Sequence, residues 1–367
     1  MEKKSKLKIN SLKLKNFRNY DLLNLELSEQ TNIFYGDNAQ GKTNILESLY
    51  LCGTTKSHRG TKDKDMIQFG KDESHIEVKV EKRGITYQID MHLKKNKAKG
   101  IAINRIPIKK ASELFGILNV VFFSPEDLNI IKNGPAERRR FIDLELSQLD
   151  KVYLNDLGNY NRIVNQRNKL LKDISFNSGL KDTLDIWDIQ LIEYGEKVIQ
   201  ARKKFVSDIN EIISEIHKKL TGDQEQIEVI YEPNTGGQSF GDVIQKSRER
   251  DLRMMSTTSG PHRDDICFQV DGIDIRKFGS QGQQRTAALS LKLSEIELVK
   301  MLTRDKPVLL LDDVLSELDK HRQNYLLDSI DDIQTLITCT GVDEFVNHRF
   351  SINKIFYVHE GQVRNEN

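Results

Sequence analysis

The sequence lacks the features that would place the chain in a membrane, a secretory route or a disulfide-rich class. Its longest apolar runs are four or five residues, far below the roughly 20 that span a bilayer. Residues 1–6 contain no apolar core, so we expect no secretory leader. The only three cysteines, Cys52, Cys267 and Cys339, are too few and too widely spaced for a disulfide framework or a Cys-rich metal site. We therefore expect a cytoplasmic protein in a reducing compartment.

The chain also lacks a large excess of charge of either sign. Lys and Arg number 56 and Asp and Glu number 55, which gives a net charge of +1. This balance excludes a uniformly basic nucleic-acid coat protein and an acidic tail, but a local basic patch can still bind nucleic acid. Charged residues make up 30% of the 367 residues and hydrophobic residues 37%. This polar globular composition is consistent with two domains and a long solvated helical element.

The hydrophobic pattern divides the chain into α/β ends and a helical middle. Strand-like alternation begins near Leu7, and two alternating segments around Arg83-Gly84 predict a β-hairpin. Residues 137–220 contain no proline, and their apolar residues recur at spacings of three and four, as in amphipathic helices. The pattern predicts two helices with a break at residues 173–179, followed by a loop-rich connection with one strand over residues 221–245. We therefore predict a head domain of residues 1–132 and 253–367, with a helical domain inserted at residues 133–252.

Two apolar stripes define the inserted helices. The first contains Leu149, Val152, Leu157, Tyr160, Val164 and Leu171. The second contains Leu180, Leu184, Trp187, Leu191, Tyr194, Val198, Phe205, Ile209, Ile212, Ile216 and Leu220. Together they predict an antiparallel helical hairpin, but the spacing fits a projecting arm and a packed helical subdomain equally well.

A phosphate-binding loop follows the third predicted strand and precedes a predicted helix. Its pattern is G-x-x-x-x-G-K-[ST], formed by Gly36, Asp37, Asn38, Ala39, Gln40, Gly41, Lys42 and Thr43. The glycines allow successive backbone N–H groups to point at phosphate oxygens, and the helix N-terminus adds its positive dipole end. We expect Lys42 to reach the β- and γ-phosphates of a nucleotide and the Thr43 hydroxyl to coordinate Mg²⁺.

A second element with carboxylates lies near the C-terminus. Residues 308–311 are continuously apolar, as in a strand buried on both faces, and Asp312 and Asp313 follow directly. Open α/β sheets bind ligands at the carboxyl ends of their strands. We expect Asp312 to hold Mg²⁺ through water, as a Walker-B carboxylate does. Asp313 is placed to orient the attacking water.

The segment around Ser280 narrows the class of nucleotide-binding protein. Ser280-Gln281-Gly282-Gln283 opens a helix about 30 residues before the Walker-B strand and resembles the S-G-G-Q signature of ABC-type ATPases. Residues 316–319, which include Ser316 and Asp319, resemble their D-loop. In that family the signature contacts the γ-phosphate held by a partner subunit. The resemblance therefore implies a head-to-head homodimer with two ATP molecules at its interface, with Ser280, Gly282 and Gln283 acting in trans.

Within that class the chain resembles the RecF family of recombination mediators, which is related to SMC and Rad50. The matching segments lie at residues 16–20, 36–44, 57–59, 121–128, 134–143, 260–263, 279–286 and 310–319. The helical insert is much shorter than the coiled coils of SMC and Rad50, which favours the RecF family. The resemblance implies an ATP-driven DNA clamp at single-strand gaps or duplex junctions, with RecR and RecO as partners, which promotes recombinase loading. It also places Arg18 near the nucleotide.

The chain departs from the ABC pattern at three positions. Asp313 stands where transporters usually have Glu, and because its side chain is one methylene shorter we expect slow ATP hydrolysis. The RecF resemblance implies that this hydrolysis depends on DNA. The usual Gln near residues 124–126 and the usual switch His near residues 339–340 are absent. The sequence therefore does not identify a residue that takes the role of the switch His.

DNA contacts are expected where basic residues cluster. One cluster includes Lys94, Lys95, Lys97 and Lys99, in a stretch without Asp or Glu, and another contains Arg138, Arg139 and Arg140. A third lies at the N-terminus and begins with Lys3 and Lys4. Such clusters give salt-sensitive, sequence-independent contact with the phosphate backbone. The competing interpretations are a solvated face for each cluster and a structural anchor for the arginines.

Two other classes of function fit the phosphate loop. A nucleotide-binding subunit of an ABC transporter would contact membrane-domain helices and would not respond to DNA. A small-molecule kinase would act as a monomer and would not respond to substitution of Ser280. Duplex DNA binding and DNA-stimulated ATP turnover distinguish the first interpretation from both.

Overall fold

The computed structural model describes residues 6–330, 332–341 and 352–366. The expected absence of a secretory leader and the DNA contacts expected of Lys3 and Lys4 concern residues outside these ranges. The chain divides into two compact units, one formed by Met1–Asp127 with Glu295–Asn367 and the other by Leu128–Ser294. The insert predicted over residues 133–252 lies within the second unit, which continues to Ser294. Within the described ranges, no helix combines the length and apolarity needed to cross a bilayer.

The strands of the described residues are numbered in chain order. They are β1 (Lys8–Phe17), β2 (Tyr20–Glu26), β3 (Thr31–Tyr35), β4 (Glu73–Lys82), β5 (Ile85–Lys94), β6 (Lys97–Ile103), β7 (Ile106–Pro107), β8 (Val120–Phe123), β9 (Ile227–Glu232), β10 (Asp265–Val270), β11 (Ile273–Asp274), β12 (Val308–Asp312), β13 (Thr335–Cys339), β14 (Ile352–His359) and β15 (Gln362–Asn365).

The α-helices of the same ranges are numbered likewise. They are α1 (Lys42–Thr54), α2 (Leu128–Lys132), α3 (Pro135–Leu149), α4 (Lys151–Phe176), α5 (Leu184–Thr221), α6 (Phe240–Met254), α7 (Ile275–Phe278), α8 (Gln281–Thr303) and α9 (Lys320–Ser329).

A largely parallel sheet forms the centre of the first unit, in the order β15-β14-β3-β13-β12-β8. Its middle strands are buried along their length, as the continuous apolar run in β12 predicts. The parallel register pairs Phe34 with Thr338 and Thr338 with Asp312. The carboxyl ends of β3, β13 and β12 therefore meet at one edge of the sheet. The predicted α/β class is confirmed.

An antiparallel sheet in the order β2-β1-β4-β5-β6-β7 completes the first unit. In β4, buried and partly exposed residues alternate, which matches a sheet with one face on the core. The predicted hairpin around Arg83-Gly84 is confirmed, with Lys82 paired to Ile85. Both turn residues have positive φ angles, 51° and 77°, as a two-residue type I′ hairpin turn requires.

The second unit contains the predicted antiparallel helical hairpin. α5 has 38 residues and a length of about 57 Å at the usual helical rise, and its buried residues include Leu191, Val198 and Ile209 of the predicted seam. In the first stripe Val152 is 68% exposed and Tyr153 is buried instead. The predicted break over residues 173–179 begins four residues too early, because α4 continues to Phe176. Ile174 lies within this extension and joins Leu171 and Leu184 in one apolar cluster.

The segment after α5 is more ordered than the predicted loop-rich connection. The predicted strand is present as β9, which pairs with β10 in a three-stranded sheet. Residues 240–245 are helical, because α6 begins at Phe240 after an N-cap in which the Ser239 hydroxyl accepts a hydrogen bond from the Asp242 N–H. Phe240 and Ile244 bury the inner face of α6. The loop-rich connection predicted over residues 221–245 therefore ends at Ser239, six residues earlier than predicted.

A buried ion-pair cluster joins the helices of the second unit. The Arg167 side chain on α4 is fully buried, and its Nε lies 2.7 Å from Asp188 Oδ1 on α5. Its Nη1 lies 2.7 Å from Asp251 Oδ2 on α6 and also donates to the Thr257 hydroxyl. One guanidinium therefore bridges two carboxylates whose burial without a counter-charge would be costly, and Arg248 lies 3.9 Å from the second oxygen of Asp188.

We predict that Arg167→Met lowers the free energy of unfolding of this unit by about 3–5 kcal/mol, because it leaves Asp188 and Asp251 without their buried counter-charge. Trp187, the single tryptophan of the chain, lies next to Asp188 and reports unfolding by fluorescence in a urea titration. Lys204→Ala, which removes an exposed ion pair with Asp208, is the control and should leave the midpoint unchanged. Equal midpoints for the two variants would contradict the assignment.

Candidate functional site

The phosphate loop has a backbone that only glycine satisfies at its two ends. Gly36, directly after β3, has a φ angle of 146°, and a Cβ there would lie 2.3 Å from the Val358 carbonyl oxygen on β14. Gly41 has a φ angle of 113°, and its Cβ would lie 2.4 Å from the Asn19 side chain. One close approach comes from β14 and the other from the turn between β1 and β2, and both lie against the outside of the loop.

Lys42 is held inside the phosphate loop. Its Nζ donates to the Gly36 carbonyl oxygen at 2.6 Å and to the Asp37 carbonyl oxygen at 2.8 Å. Burial lowers the pKa of the Lys42 ammonium, while the negative charges of Asp313 and Asp312 act in the opposite direction. A phosphate group would replace the two carbonyl acceptors with charged ones, which form stronger hydrogen bonds. Asp37, Asn38 and Ala39 are exposed on the loop.

Two residues that the sequence did not single out support the loop from β2 and the turn before it. The Asn19 amide donates to the Gln40 carbonyl oxygen at 2.9 Å, and the Tyr20 hydroxyl donates to the Gly41 carbonyl oxygen at 3.1 Å. On the other side the Glu360 N–H donates to the Gln40 side chain at 2.6 Å. These contacts hold the loop from outside, and only the position of residues 16–20 in a family motif could have indicated them.

The Asp312 carboxylate connects the phosphate-loop helix to two strands. Its Oδ1 accepts from the Thr43 hydroxyl at 2.8 Å and from the Thr338 hydroxyl at 2.7 Å. Burial raises the pKa of Asp312, and the hydrogen bonds from Thr338 and Thr43 oppose that shift. Thr338 is a site residue that the sequence analysis missed, since it carries no motif and reaches Asp312 only through the parallel register.

Asp313, the predicted catalytic carboxylate, has a left-handed backbone with a φ angle of 56°. Its N–H donates to the Thr338 hydroxyl at 3.1 Å, and its carbonyl oxygen accepts from the Ser316 hydroxyl at 2.8 Å. The chain therefore turns sharply after Asp312. Asp319 caps α9, and hydrogen bonding from the Arg322 N–H lowers its pKa. The D-loop residues Ser316 and Asp319 are both exposed.

Arg18 lines a pocket beside the phosphate loop. Its guanidinium forms two 2.8 Å hydrogen bonds with the buried Glu47 carboxylate on α1. Burial opposes ionisation of Glu47, but hydrogen bonds from Arg18 and Ser57 lower its pKa. The pocket has a volume of 740 Å³, and its wall includes Asn19, Asn44, Lys64 and Asp65. Since the Asn19 side chain also bonds to the loop at Gln40, the pocket lies next to the phosphate loop.

The signature segment forms the N-cap of α8 in the second unit. The Ser280 hydroxyl accepts from the Gln283 N–H at 3.2 Å, and the Gln283 side-chain oxygen accepts from the Ser280 N–H at 2.9 Å. This reciprocal pair is a capping box. Ser280 and Gly282 are exposed, and a Cβ on Gly282 would meet only the Ser280 hydroxyl oxygen, at 3.8 Å. The fold itself therefore leaves room at Gly282 for another group.

The donor set near Asp312 suits Mg²⁺. Magnesium binds oxygen ligands and usually takes one or two protein groups together with phosphate oxygens and water. Thr43 and Asp312 supply a hydroxyl and a carboxylate next to the loop. In the described part of the chain, no group of three or more His, Cys, Asp or Glu side chains forms a separate metal site. The residues present fit a metal that arrives with a nucleotide.

Most of the predicted DNA-binding lysines have acidic neighbours. Lys94 lies 3.8 Å from Glu73, Lys95 lies 3.2 Å from Asp72, and Lys99 lies 2.9 Å from Asp63. The stretch has no acidic residue in its own sequence, but the neighbouring segments supply them. Lys97 is exposed and has no ion-pair partner among the described residues. The patch is therefore less basic than its sequence predicts.

Arg138 has a structural role in the second unit and is too buried to contact DNA, whereas the DNA contact expected of the partly exposed Arg139 stays a prediction. Arg138 is 1% exposed. Its guanidinium donates to the Asp265 carboxylate at 2.6 and 3.0 Å and to the Asn133 carbonyl oxygen at 2.6 Å, so its donors are engaged inside the unit. Arg139 donates to the Asp264 carbonyl oxygen at 2.7 Å. Among the three, only Arg140 is exposed.

We predict that Thr338→Val moves the acid limb of Mg²⁺-dependent nucleotide binding to higher pH by about one unit. The variant removes a hydrogen bond that favours the charged form of Asp312, so the pKa of Asp312 rises and the carboxylate is lost earlier as the pH falls. Fluorescent-ATP titrations across pH, with and without Mg²⁺, measure the shift. Thr335→Val on the same strand, whose hydroxyl bonds only to the Ile333 carbonyl oxygen, is the control. An unchanged limb would contradict the role given to Thr338.

Comparison with known proteins shows matches along almost the whole chain. Residues 8–364 match the model of the RecF/RecN/SMC N terminal domain. The chain is 63% identical over 361 residues to the DNA replication and repair protein RecF of Lachnospira eligens, covering 98% of this chain and 99% of that protein. It is 64% identical over 355 residues to RecF of Agathobacter rectalis, covering 97% and 98% of the two chains.

Solved structures agree with these matches. The structure of the recombination mediator protein RecF with ATP, from the RecFOR pathway, superposes with a TM-score of 0.94 at 35% identity, covering 100% of this chain and 99% of that one. An Smc head domain derived from Pyrococcus furiosus shares the fold, with a TM-score of 0.56 at 16% identity, covering 98% and 96%. The predicted fold class, an ABC-type ATPase head with inserted helices, is confirmed. The chain belongs to the RecF family, within the wider group of RecF, RecN and SMC proteins.

Proposed function

We propose that this protein is an ATP-driven, DNA-binding dimer of recombinational repair. ATP binding brings two copies together on gapped or junction DNA, the dimer helps to load a recombinase, and slow DNA-dependent hydrolysis releases it. The observation that carries the proposal is the pair of half-sites in one chain, a preformed phosphate loop and an exposed signature cap. The RecF relatives are named for DNA replication and repair, which favours this function over a transporter subunit.

The phosphate loop and Asp312 would hold ATP with Mg²⁺. Backbone N–H groups of residues 36–43 and the Lys42 ammonium would bind the phosphates. The Thr43 hydroxyl and the Asp312 carboxylate would hold the metal, which neutralises phosphate charge when bound. The pocket beside Arg18 adjoins the loop, and its wall combines the polar Asn19 and Asn44 with the apolar Ile67 and Phe69. We assign it to the base and ribose.

The signature cap would act on the nucleotide of a second copy. Ser280 and Gly282 are exposed, and the N-terminus of the 23-residue helix α8 presents backbone N–H groups and a positive dipole end. The open space at Gly282 allows a phosphate group to approach the backbone closely. A nucleotide site that takes Lys42 from one copy and the signature cap at Ser280 from another is complete only in the dimer. ATP binding would therefore control association of the two copies.

Slow turnover follows from the short side chain of Asp313. A water-orienting carboxylate must lie within hydrogen-bond reach of the attacking water. Asp is one methylene shorter than the Glu of ABC transporters, and its backbone is held by Thr338 and Ser316. Release of DNA would then depend on a hydrolysis step that lasts long enough for loading to occur.

DNA and the mediator proteins RecR and RecO are the proposed partners. The RecF structures are described as parts of the RecFOR pathway, and the high identity extends this expectation to the chain. Lys97 is the best-placed cation of the predicted patch, because its neighbours are paired with acids. Contact with the DNA backbone would be sequence-independent.

We predict that both Lys42→Ala and Ser280→Arg abolish ATP-dependent dimers. Ser280→Arg should nevertheless leave the affinity for ATP unchanged. The first removes a phosphate contact and the second obstructs the cap that meets the partner's nucleotide. Light scattering with and without ATP gives the mass, and fluorescent-ATP titration gives the affinity. Dimers that persist in Lys42→Ala would contradict the ATP sandwich. Loss of ATP affinity in Ser280→Arg would place Ser280 in its own chain's site.

We predict that Lys97→Gln lowers the salt slope of duplex binding by about 0.9, the value for one phosphate contact. Lys95→Gln is the matched control, since Lys95 already pairs with Asp72, and its slope should change less. The logarithm of the association constant is measured by fluorescence anisotropy across a range of salt concentrations. Identical slopes for wild type and Lys97→Gln would move the DNA contact away from this patch.

A further inference from the structure

A polar network lies directly behind the signature cap in the second unit. The Gln283 side-chain oxygen is already committed to the Ser280 N–H, and its amide nitrogen donates to Glu225 Oε1 at 3.0 Å. Both the oxygen and the nitrogen of the Gln283 side-chain amide therefore have hydrogen-bond partners. Glu225 lies in the short segment between α5 and β9, outside every motif of the sequence analysis.

Glu225 is itself held by a buried histidine. His217, near the end of α5, has a side-chain exposure of 0%, and its Nε2 lies 3.3 Å from Glu225 Oε2. Its Nδ1 lies 2.9 Å from the Ser290 hydroxyl on α8. The network therefore begins and ends on α8, at Gln283 and at Ser290, and passes through α5 in between.

The hydrogen-bond directions in this network follow from its acceptors. The Ser290 hydroxyl donates to the Thr286 carbonyl oxygen at 2.8 Å, so its oxygen accepts from the His217 Nδ1–H. His217 Nε2 and Glu225 Oε2 share one hydrogen bond, which holds the carboxylate beside the ring. Glu225 Oε1 accepts from Gln283, which leaves the Gln283 side-chain oxygen facing the Ser280 N–H. The Gln283 amide is thereby oriented at both its oxygen and its nitrogen.

We propose that Glu225 and His217 are positioning residues for the signature. They fix the Gln283 side chain, which fixes the Ser280 N-cap, and so they hold the exposed hydroxyl and N–H groups in place for the partner copy's nucleotide. Without Glu225 the Gln283 amide would gain rotational freedom, and the capping box would open more often. This inference rests on the proposed function of the signature in trans.

The test compares Glu225→Ala with Glu225→Gln, which restores an acceptor for the Gln283 amide. In the nucleotide-free protein, amide hydrogen exchange at Ser280 should be about tenfold faster in Glu225→Ala and close to wild type in Glu225→Gln. The dissociation constant of the ATP-dependent dimer should rise about tenfold in Glu225→Ala, while ATP affinity at the phosphate loop stays unchanged. Glu228→Ala, an exposed position on β9, is the matched control.

The outcomes separate the two proposals. Unchanged exchange at Ser280 in Glu225→Ala overturns the positioning role. Faster amide exchange at Ser280 in Glu225→Ala, with an unchanged dissociation constant of the ATP-dependent dimer, overturns the claim that Glu225 supports the signature's contact with the partner copy. A wild type that forms no ATP-dependent dimer overturns the proposed function, while the exchange measurement still tests the link. If Glu225→Ala does not fold, His217→Asn tests the same link, since it keeps a donor for Ser290 and loses the contact with Glu225.

Discussion

The hydrogen bonds to the Asp312 carboxylate are the interaction on which the candidate site depends. One oxygen accepts from Thr43, at the start of the phosphate-loop helix, and from Thr338, on the strand between β3 and β12. Parallel pairing brings these groups together from residues 43, 312 and 338. The same register places Val358 against Gly36, so the phosphate loop is shaped by the sheet and not by its own sequence alone. Nucleotide chemistry at this edge therefore requires the whole sheet.

The second unit uses its charges differently. Arg138, Arg167 and Arg202 are among its largest fully buried side chains, and each pairs with aspartates of its own unit. These arginines hold helices and strands together and are not available to DNA. The near-equal totals of basic and acidic residues reflect such internal pairing.

The features that sequence analysis predicted well are those encoded by neighbouring residues. The strand, loop and helix around Lys42, the buried β12 with Asp312, the hairpin at Arg83-Gly84 and the apolar seam of α5 all have local patterns. Their structures follow from glycine positions, periodicity and turn chemistry.

What the sequence did not predict depends on distant residues. Thr338 joins the site only through strand register, and Asn19 and Tyr20 only through the packing of the first strands on the loop. The basic character of Lys95 and Lys99 was overstated because Asp72 and Asp63 come from other segments. Arg138 looked like part of a surface cluster, but its helix turns it onto Asp265. In each case the role of a residue depends on a partner that is distant in sequence, so no local pattern predicts it.

The central claim is that each nucleotide is bound by the phosphate loop of one copy and the signature of another. The most direct measurement is ATP turnover in an equimolar mixture of Lys42→Ala and Ser280→Arg. Each variant alone lacks one half of every site, but a mixed dimer contains one complete site, with ATP on the Ser280→Arg copy and the signature from the Lys42→Ala copy. The account predicts turnover in the mixture well above that of either variant alone. A mixture no more active than its separate components would contradict it.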